Sequence, residues 1–263
     1  MNVNSYLNRL NISEVKHPSL GFLTELQKHH LLAIPFEDLD IPNRARIELN
    51  LRKLYNKIIP TKRGGFCYEL NGLFYWLLTK LGYKVDMLSA RVYNQRTNEL
   101  GPEFDHLVLL VHLKKGLLEK DFLVDVGFGD SFRIPIEMPR GRVEDVSGKY
   151  RIINKKNNLH ELQRKIEELW VPQYCFTTIP HKLVEFKNMC AFQQDNPESH
   201  FRNRMVCTIA TENGRVTLSN NSLTITENNS KTKLEFDGEI EFYYLLKKHF
   251  GIELQPLVKE KDQ

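Results

Sequence analysis

The sequence predicts an α+β fold, and three observations carry that expectation. Apolar residues recur at helical spacing up to about residue 82. From residue 84 the period becomes that of strands, which follow one another without intervening helices. The last part is a run of short strands closed by one more helix. Helices, then strands, then a small mixed tail is the order of an α+β chain, not of a doubly wound parallel sheet. At 263 residues the chain is long for a single core, so two or three packed units are expected.

The elements follow in order. LGFLTELQKHHLLAI (20–34) sets Leu20, Leu23, Leu26 and His30 or Leu31 at helical spacing, and Pro35 stops it. LRKLYNKII (51–59) is a second short helix, stopped by Pro60. RGGFCYELNGLFYWLL (63–78) leads into a third, with Leu70, Phe74, Leu77, Leu78 and Leu81 on one face and Gly82 as its stop. KVDMLSARVY (84–93) is a strand. HLVLLVHL (106–113) is apolar on both faces, as a buried strand is, and DFLVDVGFG (121–129) is a strand running into a glycine-rich loop. KKGLLEK between these two is short enough for a hairpin. After residue 130 the pattern weakens and loops are expected. RMVCTIAT (204–211), GRVTLS (214–219) and SLTITE (222–227) form a meander, and IEFYYLLKKHFGI (240–252) is the closing helix. The sequence contains no internal repeat and no low-complexity tract.

Composition excludes several classes. Hydrophobic residues make up 41% and charged residues 27%, the balance of a globular protein. The net charge of +4 is spread over scattered Lys and Arg. The pairs at 114–115, 155–156 and 247–248 suit solvated faces, so no nucleic-acid partner is expected. No apolar run approaches a bilayer span, and MNVNSYLNRL lacks the pattern of a secretory signal. No membrane partner and a cytoplasmic location are therefore expected. The 4 cysteines, Cys67, Cys175, Cys190 and Cys207, form no Cys-x-x-Cys pair, so neither a metal site nor a disulfide framework is expected.

Cys67 carries the first chemical signal. A thiolate is the nucleophilic form of cysteine, and a free thiol ionises at about 8.5. A helix amino terminus favours negative charge, and Cys67 stands in the first turn of its helix. It shares a face with Leu70, Phe74 and Leu78, so it points inward. Gly64 and Gly65 are expected to allow a tight entry and a close approach of substrate. The plainer reading, a buried cysteine packed on Leu70 and Phe74, holds unless a partner base exists.

Of the 9 histidines, His29 and His30 are read as surface or capping groups, and His17, His160, His181 and His249 lie in polar contexts. His106 differs, because it opens an apolar strand. Asp125 is equally odd, a carboxylate inside FLVDVGF that is costly to bury without compensation. The plainer reading of His106 is a core or edge histidine satisfied by backbone; but if the hairpin has Lys115-Gly116 at its tip, one of several turns that KKGLLEK allows, His106 lies directly opposite Asp125, with Cβ atoms about 5 Å apart. A carboxylate that orients an imidazole beside a nucleophile is the third member of a triad.

With these residues in place, the chain resembles the arylamine N-acetyltransferases, in particular their bacterial, Bacillus-like members. Arg63, Gly64, Gly65, Cys67, Glu69 and Asn71 match the family signature of Arg-Gly-Gly before the catalytic cysteine and Glu-x-Asn after it. IPFEDLDI (34–41) resembles the upstream Pro-Phe-Glu-Asn-Leu element, with Asp38 where Asn is usual. That departure is read as touching a structural element. DHLVLLV and VDVGFG resemble the segments of the catalytic histidine and aspartate, and NPESHF (196–201) and LLKKHFGI (245–252) also fit.

The resemblance implies a helical bundle over 1–84 carrying the nucleophile, an antiparallel β-barrel over 85–198 carrying histidine and aspartate, and an α/β lid over 199–263. It implies a cysteine-protease-like triad of Cys67, His106 and Asp125. It also implies ping-pong acetyl transfer from acetyl-CoA to aromatic amines, hydrazines or the oxygen of N-hydroxyarylamines, in xenobiotic metabolism and without a metal. Gly127, Phe128, Gly129 and Ser199 are expected near the acetyl donor, Ser199 having a loop cap as its alternative role. Phe36 and Phe128 are expected in the acceptor pocket, plain core packing being their alternative. Arg63 and Glu69 are read as a structural pair beneath the site. The competing functions are a Cys-His-Asp thiol hydrolase or transglutaminase-like amide-processing enzyme, and a binding domain that has kept the scaffold without the activity. Nothing in the sequence sets an oligomeric state.

Overall fold

The N-terminal region packs three helices around the one that starts at Cys67. In this computed structural model, residues 1–115, 118–202, 204–228 and 230–254 are described. Helix α1 spans Val3–Arg9, α2 spans Leu20–Ala33, α3 spans Leu51–Ile58 and α4 spans Cys67–Lys80; a two-residue strand β1, Phe36–Glu37, lies between α2 and α3. Local chemistry sets the helix starts. The Ser19 side chain accepts the Phe22 N–H ahead of α2, and Asn50 accepts from Arg52 and Lys53 ahead of α3.

Helix α4 departs from the expected one-sided amphipathic pattern. Leu70, Leu73, Phe74, Leu77 and Leu78 are all fully buried, and Tyr68 and Asn71 are buried with them. The helix lies between α1 and α3 on one side and the central sheet on the other. Burying each such leucine contributes about 1.5–3 kcal/mol. His30, expected at the surface, is also fully buried. Its Nε2 lies 3.0 Å from the Tyr6 hydroxyl, and its ring meets Phe74 edge-on. His29 is tied by Nδ1 to the Leu10 carbonyl at 2.8 Å. Both serve as internal clamps, because α1 folds back over α2.

The second layer is a nine-stranded antiparallel sheet. Its strands are β2 (Lys84–Asn94), β3 (Glu99–Leu100), β4 (His106–Lys115), β5 (Leu118–Val124), β6 (Ile136–Glu137), β7 (Arg142–Asp145), β8 (Gly148–Asn154), β9 (His160–Ile166) and β10 (Leu169–His181). The edge strands of the path are β6 and β7, which are consecutive and joined by residues 138–141 alone. The two edges are thereby held together, and the sheet curls into a nearly closed barrel. Strand β4 serves both cores by alternation. Leu107, Leu109 and Val111 pack with the helices, while Val108 and Leu110 face the barrel interior beside Leu123, Phe132, Tyr150 and Tyr174.

Residues 142–181, expected as loops, supply β7 to β10 and thus a large part of the barrel. Their outer faces meet water, so charged residues alternate with buried ones such as Tyr150, Ile152 and Leu162 and dilute the apolar signal.

The hairpin register also differs from the expected one. Lys115 pairs with Leu118 and Leu109 with Val124, two residues away from the register that sets His106 against Asp125. The expected tip at Lys115-Gly116 falls partly outside the described residues. His106 pairs instead with Ala90 on β2, and Asp125 lies just past the end of β5. A slip of two residues preserves the face on which each side chain points. His106 and Asp125 thus become diagonal neighbours, a distance that two polar side chains span.

The chain ends in a third layer. After helix α5 (Lys187–Asp195) come β11 (Val206–Thr211), β12 (Gly214–Ser219), β13 (Ser222–Glu227), β14 (Ser230–Glu235) and helix α6 (Glu239–Phe250). These strands form a sheet with β1 at its edge, Phe36 pairing with Thr208 and Glu37 with Cys207. Phe242, Leu245 and Leu246 of α6 pack on Cys207, Leu218 and Leu223, and Leu39, just past β1, joins this core. No described helix is long and apolar enough to cross a membrane.

Candidate active site

Cys67 is the first residue of α4, and the chain reaches it through a tightly packed entry. Gly64 has no room for a side chain, since a Cβ there would lie 2.1 Å from the Pro35 carbonyl oxygen. A Cβ on Gly65 would strike the Glu69 carboxyl. These glycines therefore serve the packing of the entry rather than the approach of a substrate. Gly65 forms a parallel bridge to Phe36, and the Glu37 N–H donates to the Gly65 carbonyl at 2.9 Å. Glu69 accepts the Phe66 N–H at 3.1 Å, closing the start of the helix.

Arg63 and Glu69 do not pair with each other. Arg63 donates to Glu37 at 2.9 Å and to Asp40 at 2.7 Å, while Lys57 donates to both oxygens of Glu69 at 2.9 and 3.0 Å and reaches Asp40 at 2.7 Å. Five charged side chains thus form one buried network beneath the cysteine.

Asp125 is fully buried and fully compensated. His106 Nε2 lies 2.8 Å from its Oδ2, and the Tyr174 hydroxyl donates to the same oxygen at 3.2 Å. Its Oδ1 accepts from Asn71 Nδ2 and from the Gly127 N–H, each at 2.9 Å. Four donors offset the cost of burying this charge. With Nε2 engaged, Nδ1 is the imidazole nitrogen left for chemistry. Phe128 and Tyr174 pack around the His106 ring with centroids 5.2 and 5.3 Å away.

Cys67 and His106, 4% and 2% exposed, line one cavity of about 270 Å³. Phe36, Gly127 and Phe128 line it too. Asp125 stands behind His106, and Gly129 lies against the Phe36 ring. Gly127 allows the closest approach: a Cβ there would meet Cys67 Cα at 2.9 Å and Asn71 Nδ2 at 2.7 Å. Ser199 lines a neighbouring cavity of about 620 Å³. Its hydroxyl is committed to the Gln193 carbonyl and side-chain oxygens at 2.8 Å and to the Phe201 N–H, which is the behaviour of a loop cap.

Burial raises the Cys67 thiol well above its ordinary value, and Asp105, Cys190 and Asp125 push it the same way, against a backbone hydrogen bond from Leu107. The helix start therefore does not by itself offset the burial of the thiol. All four cysteines are free thiols and buried. Among the described residues no group of three or more His, Cys, Asp or Glu side chains is placed to hold a metal.

Several site residues carried no signal, or were read otherwise. His200, Phe201 and Arg204 line the cavity from the segment that leads into β11, and only the pairing of β11 with β1 brings them there. Asp38, read as structural, lines it as well. Tyr174 lies in a stretch expected as loop. Asn71 belongs to the signature, but its position on α4 alone does not reveal that it holds Asp125, the Leu107 carbonyl and the Val126 N–H together.

Residues 19–258 match the N-acetyltransferase family model. The chain belongs to the arylamine N-acetyltransferases. It is similar to the pineal gland isozyme NAT-3 of Gallus gallus, an arylamine N-acetyltransferase, with 31% identity over 282 residues covering 97% of this chain and 95% of the relative. An arylamine N-acetyltransferase of Bacillus cereus superposes with a TM-score of 0.88 at 26% identity, covering 97% of this chain and all of the other. That protein has a Cys-His-Glu catalytic triad; here the carboxylate on the histidine is Asp125. The Mycobacterium marinum arylamine N-acetyltransferase, solved in complex with CoA, superposes with a TM-score of 0.86 at 28% identity over 95% of this chain and 93% of that one.

Proposed function

We propose that this arylamine N-acetyltransferase moves an acetyl group from acetyl-CoA to an aromatic amine or hydrazine, or to the oxygen of an N-hydroxyarylamine, through Cys67, His106 and Asp125. One observation carries the reading: a nucleophile and an imidazole anchored by a buried carboxylate open onto a single apolar cavity.

His106 takes the thiol proton of Cys67 through its free nitrogen, and Asp125 stabilises the imidazolium. Cys67 attacks the thioester carbonyl, and backbone N–H groups beside it are placed to receive the negative oxygen. His106 returns the proton to the departing CoA thiol, leaving acetyl-Cys67. The acceptor nitrogen then attacks this acetyl carbon, His106 takes its proton, and the C–S bond breaks as His106 passes that proton to the departing sulfur, restoring the Cys67 thiol.

Phe36 and Phe128 hold the acceptor ring, and Gly127 and Gly129 keep the approach to Cys67 narrow. The neighbouring cavity suits the polyanionic donor. It shares Val92, Asp105, His200 and Arg204 with the first and adds Arg96, so two guanidinium groups stand where phosphates would lie. Ser199 belongs to this second cavity as a support of its wall.

The test is intact mass spectrometry with acetyl-CoA alone. One acetyl group is expected on the wild type and none on Cys67→Ala, and an added arylamine should discharge it. A protein that gains no acetyl group, or that hydrolyses amides instead, sinks this reading in favour of a thiol hydrolase.

A further inference from the structure

Strand β1 sorts its side chains by alternation. Phe36 and Asp38 line the acceptor cavity, while Glu37 points the other way into the network of Arg63 and Lys57. Asp38 is 2% exposed. Its Oδ1 accepts the Val206 N–H at 2.7 Å, and among the described residues neither oxygen takes a side-chain donor. The cavity is only about 270 Å³, below the size that suits drug-like ligands. Asp38 and Arg204 line the same cavity as Cys67 and His106, so a substituent on an acceptor ring seated there meets them.

The groups that bear on Asp38 are Glu37 from β1, Arg204 and His200 from the segment before β11, Cys207 from β11, Asp105 just before β4, His106 from β4, and Cys67 from α4. Burial is the largest influence and Glu37 adds to it, against the Val206 N–H and the Arg204 guanidinium. The carboxyl is pushed up to about 8. At neutral pH it is a hydrogen-bond donor, and in mildly alkaline solution it becomes an anion in a tight, mostly apolar space.

We propose that Asp38, buried in the cavity wall beside Arg204, is a specificity-determining residue for the acceptor that selects rings carrying a carboxylate. This rests on the acetyl-transfer reading above and adds the substituent that the cavity selects. The carboxylic acid donates to the substituent oxygen, and the guanidinium offsets its charge. Ionised Asp38 removes the donor and sets like charges across the cavity.

The experiment compares kcat/KM for para-aminobenzoate with that for para-toluidine at saturating acetyl-CoA, from about pH 7 to about pH 9. Neither acceptor titrates in that window, and Asp38→Asn controls for every other group whose charge acts on the carboxylate. In the wild type the ratio should fall roughly tenfold, the scale of one unit charge a few ångström away, with its midpoint near the Asp38 transition. Asp38→Asn keeps an oxygen for the Val206 N–H and stays neutral, so its ratio should be flat.

Arg204→Gln, at an exposed residue, should move the wild-type midpoint upward because it removes the group that favours the anion. A flat wild-type ratio, a fall that persists in Asp38→Asn, or an unmoved midpoint in Arg204→Gln overturns the proposal. Intact mass separates the two layers. Acetylated Cys67 with a flat ratio defeats the role of Asp38 alone, whereas no acetyl-enzyme defeats the functional reading and this proposal together.

Discussion

Asn71 Nδ2 donates to Asp125 Oδ1 at 2.9 Å from one turn beyond Cys67 on the same helix. The side chain that holds the Asp125 carboxylate is therefore carried on the same helix as Cys67. It also donates to the Leu107 carbonyl at 2.7 Å and accepts the Val126 N–H at 3.0 Å, so helix α4 and the strands that bear His106 and Asp125 are joined by one amide.

Asn71→Ala should remove one hydrogen bond from each of three buried polar partners, one of them charged. A destabilisation of about 3 kcal/mol is expected, read as a lower urea midpoint at unchanged slope. Acetylation of Cys67 should slow as well, because Asp125 loses one of its two holds on Oδ1.

Asp125→Asn should keep the packing and lose the orientation of His106. An amide presents a donor as readily as an acceptor to Nε2, and it does not stabilise an imidazolium. The rate of Cys67 acetylation should fall by about 10³–10⁴-fold, measured in single turnover with acetyl-CoA, while the urea midpoint changes little by comparison.

The pH dependence of Cys67 alkylation reports the same coupling. Burial and nearby carboxylates raise the thiol, so reactivity near neutrality depends on proton transfer to His106. In the wild type the rate of iodoacetamide modification should persist below the free-thiol value of about 8.5. In His106→Gln it should appear only above that value. Identical profiles in the two proteins would show that the imidazole is not the acceptor.

His30 links stability to pH. Burial, helped by Arg9, lowers it from the ordinary value to about 3, and its Nδ1 has no partner among the described residues. The unfolded chain takes up a proton near 6.5 that the folded protein refuses, so the stabilising contribution is complete above that pH. It shrinks as pH falls toward the folded value. Between pH 7 and pH 5 the loss should be about 2 kcal/mol, seen as a drop in the urea midpoint that His30→Gln does not share.

The sequence made Cys67, His106 and Asp125 legible as candidates for physical reasons. An apolar run such as HLVLLVHL has to be buried on both faces, and a lone carboxylate in FLVDVGF demands a partner. Those two pressures found His106 and Asp125 even though the assumed register was two residues off, since an even slip keeps the faces. The β7–β10 stretch was illegible because polar and charged residues such as Arg142, Glu144, Lys149, Arg151 and Lys165 interrupt its short apolar runs. Asp38, His200 and Arg204 were illegible as cavity residues for a different cause. Their meeting depends on β1 joining a sheet whose other strands lie some 170 positions later, which no local pattern records.

That short ribbon at Phe36–Glu37, bonded to Gly65 on one side and to β11 on the other, bears on any attempt to recombine this enzyme with a relative. Exchanging the C-terminal sheet alone would re-seat the wall that carries Phe36 and Asp38, and exchanging residues 34–41 alone would leave that wall on a foreign edge. The two segments are one inheritance unit, and a functional chimaera has to carry both from the same parent.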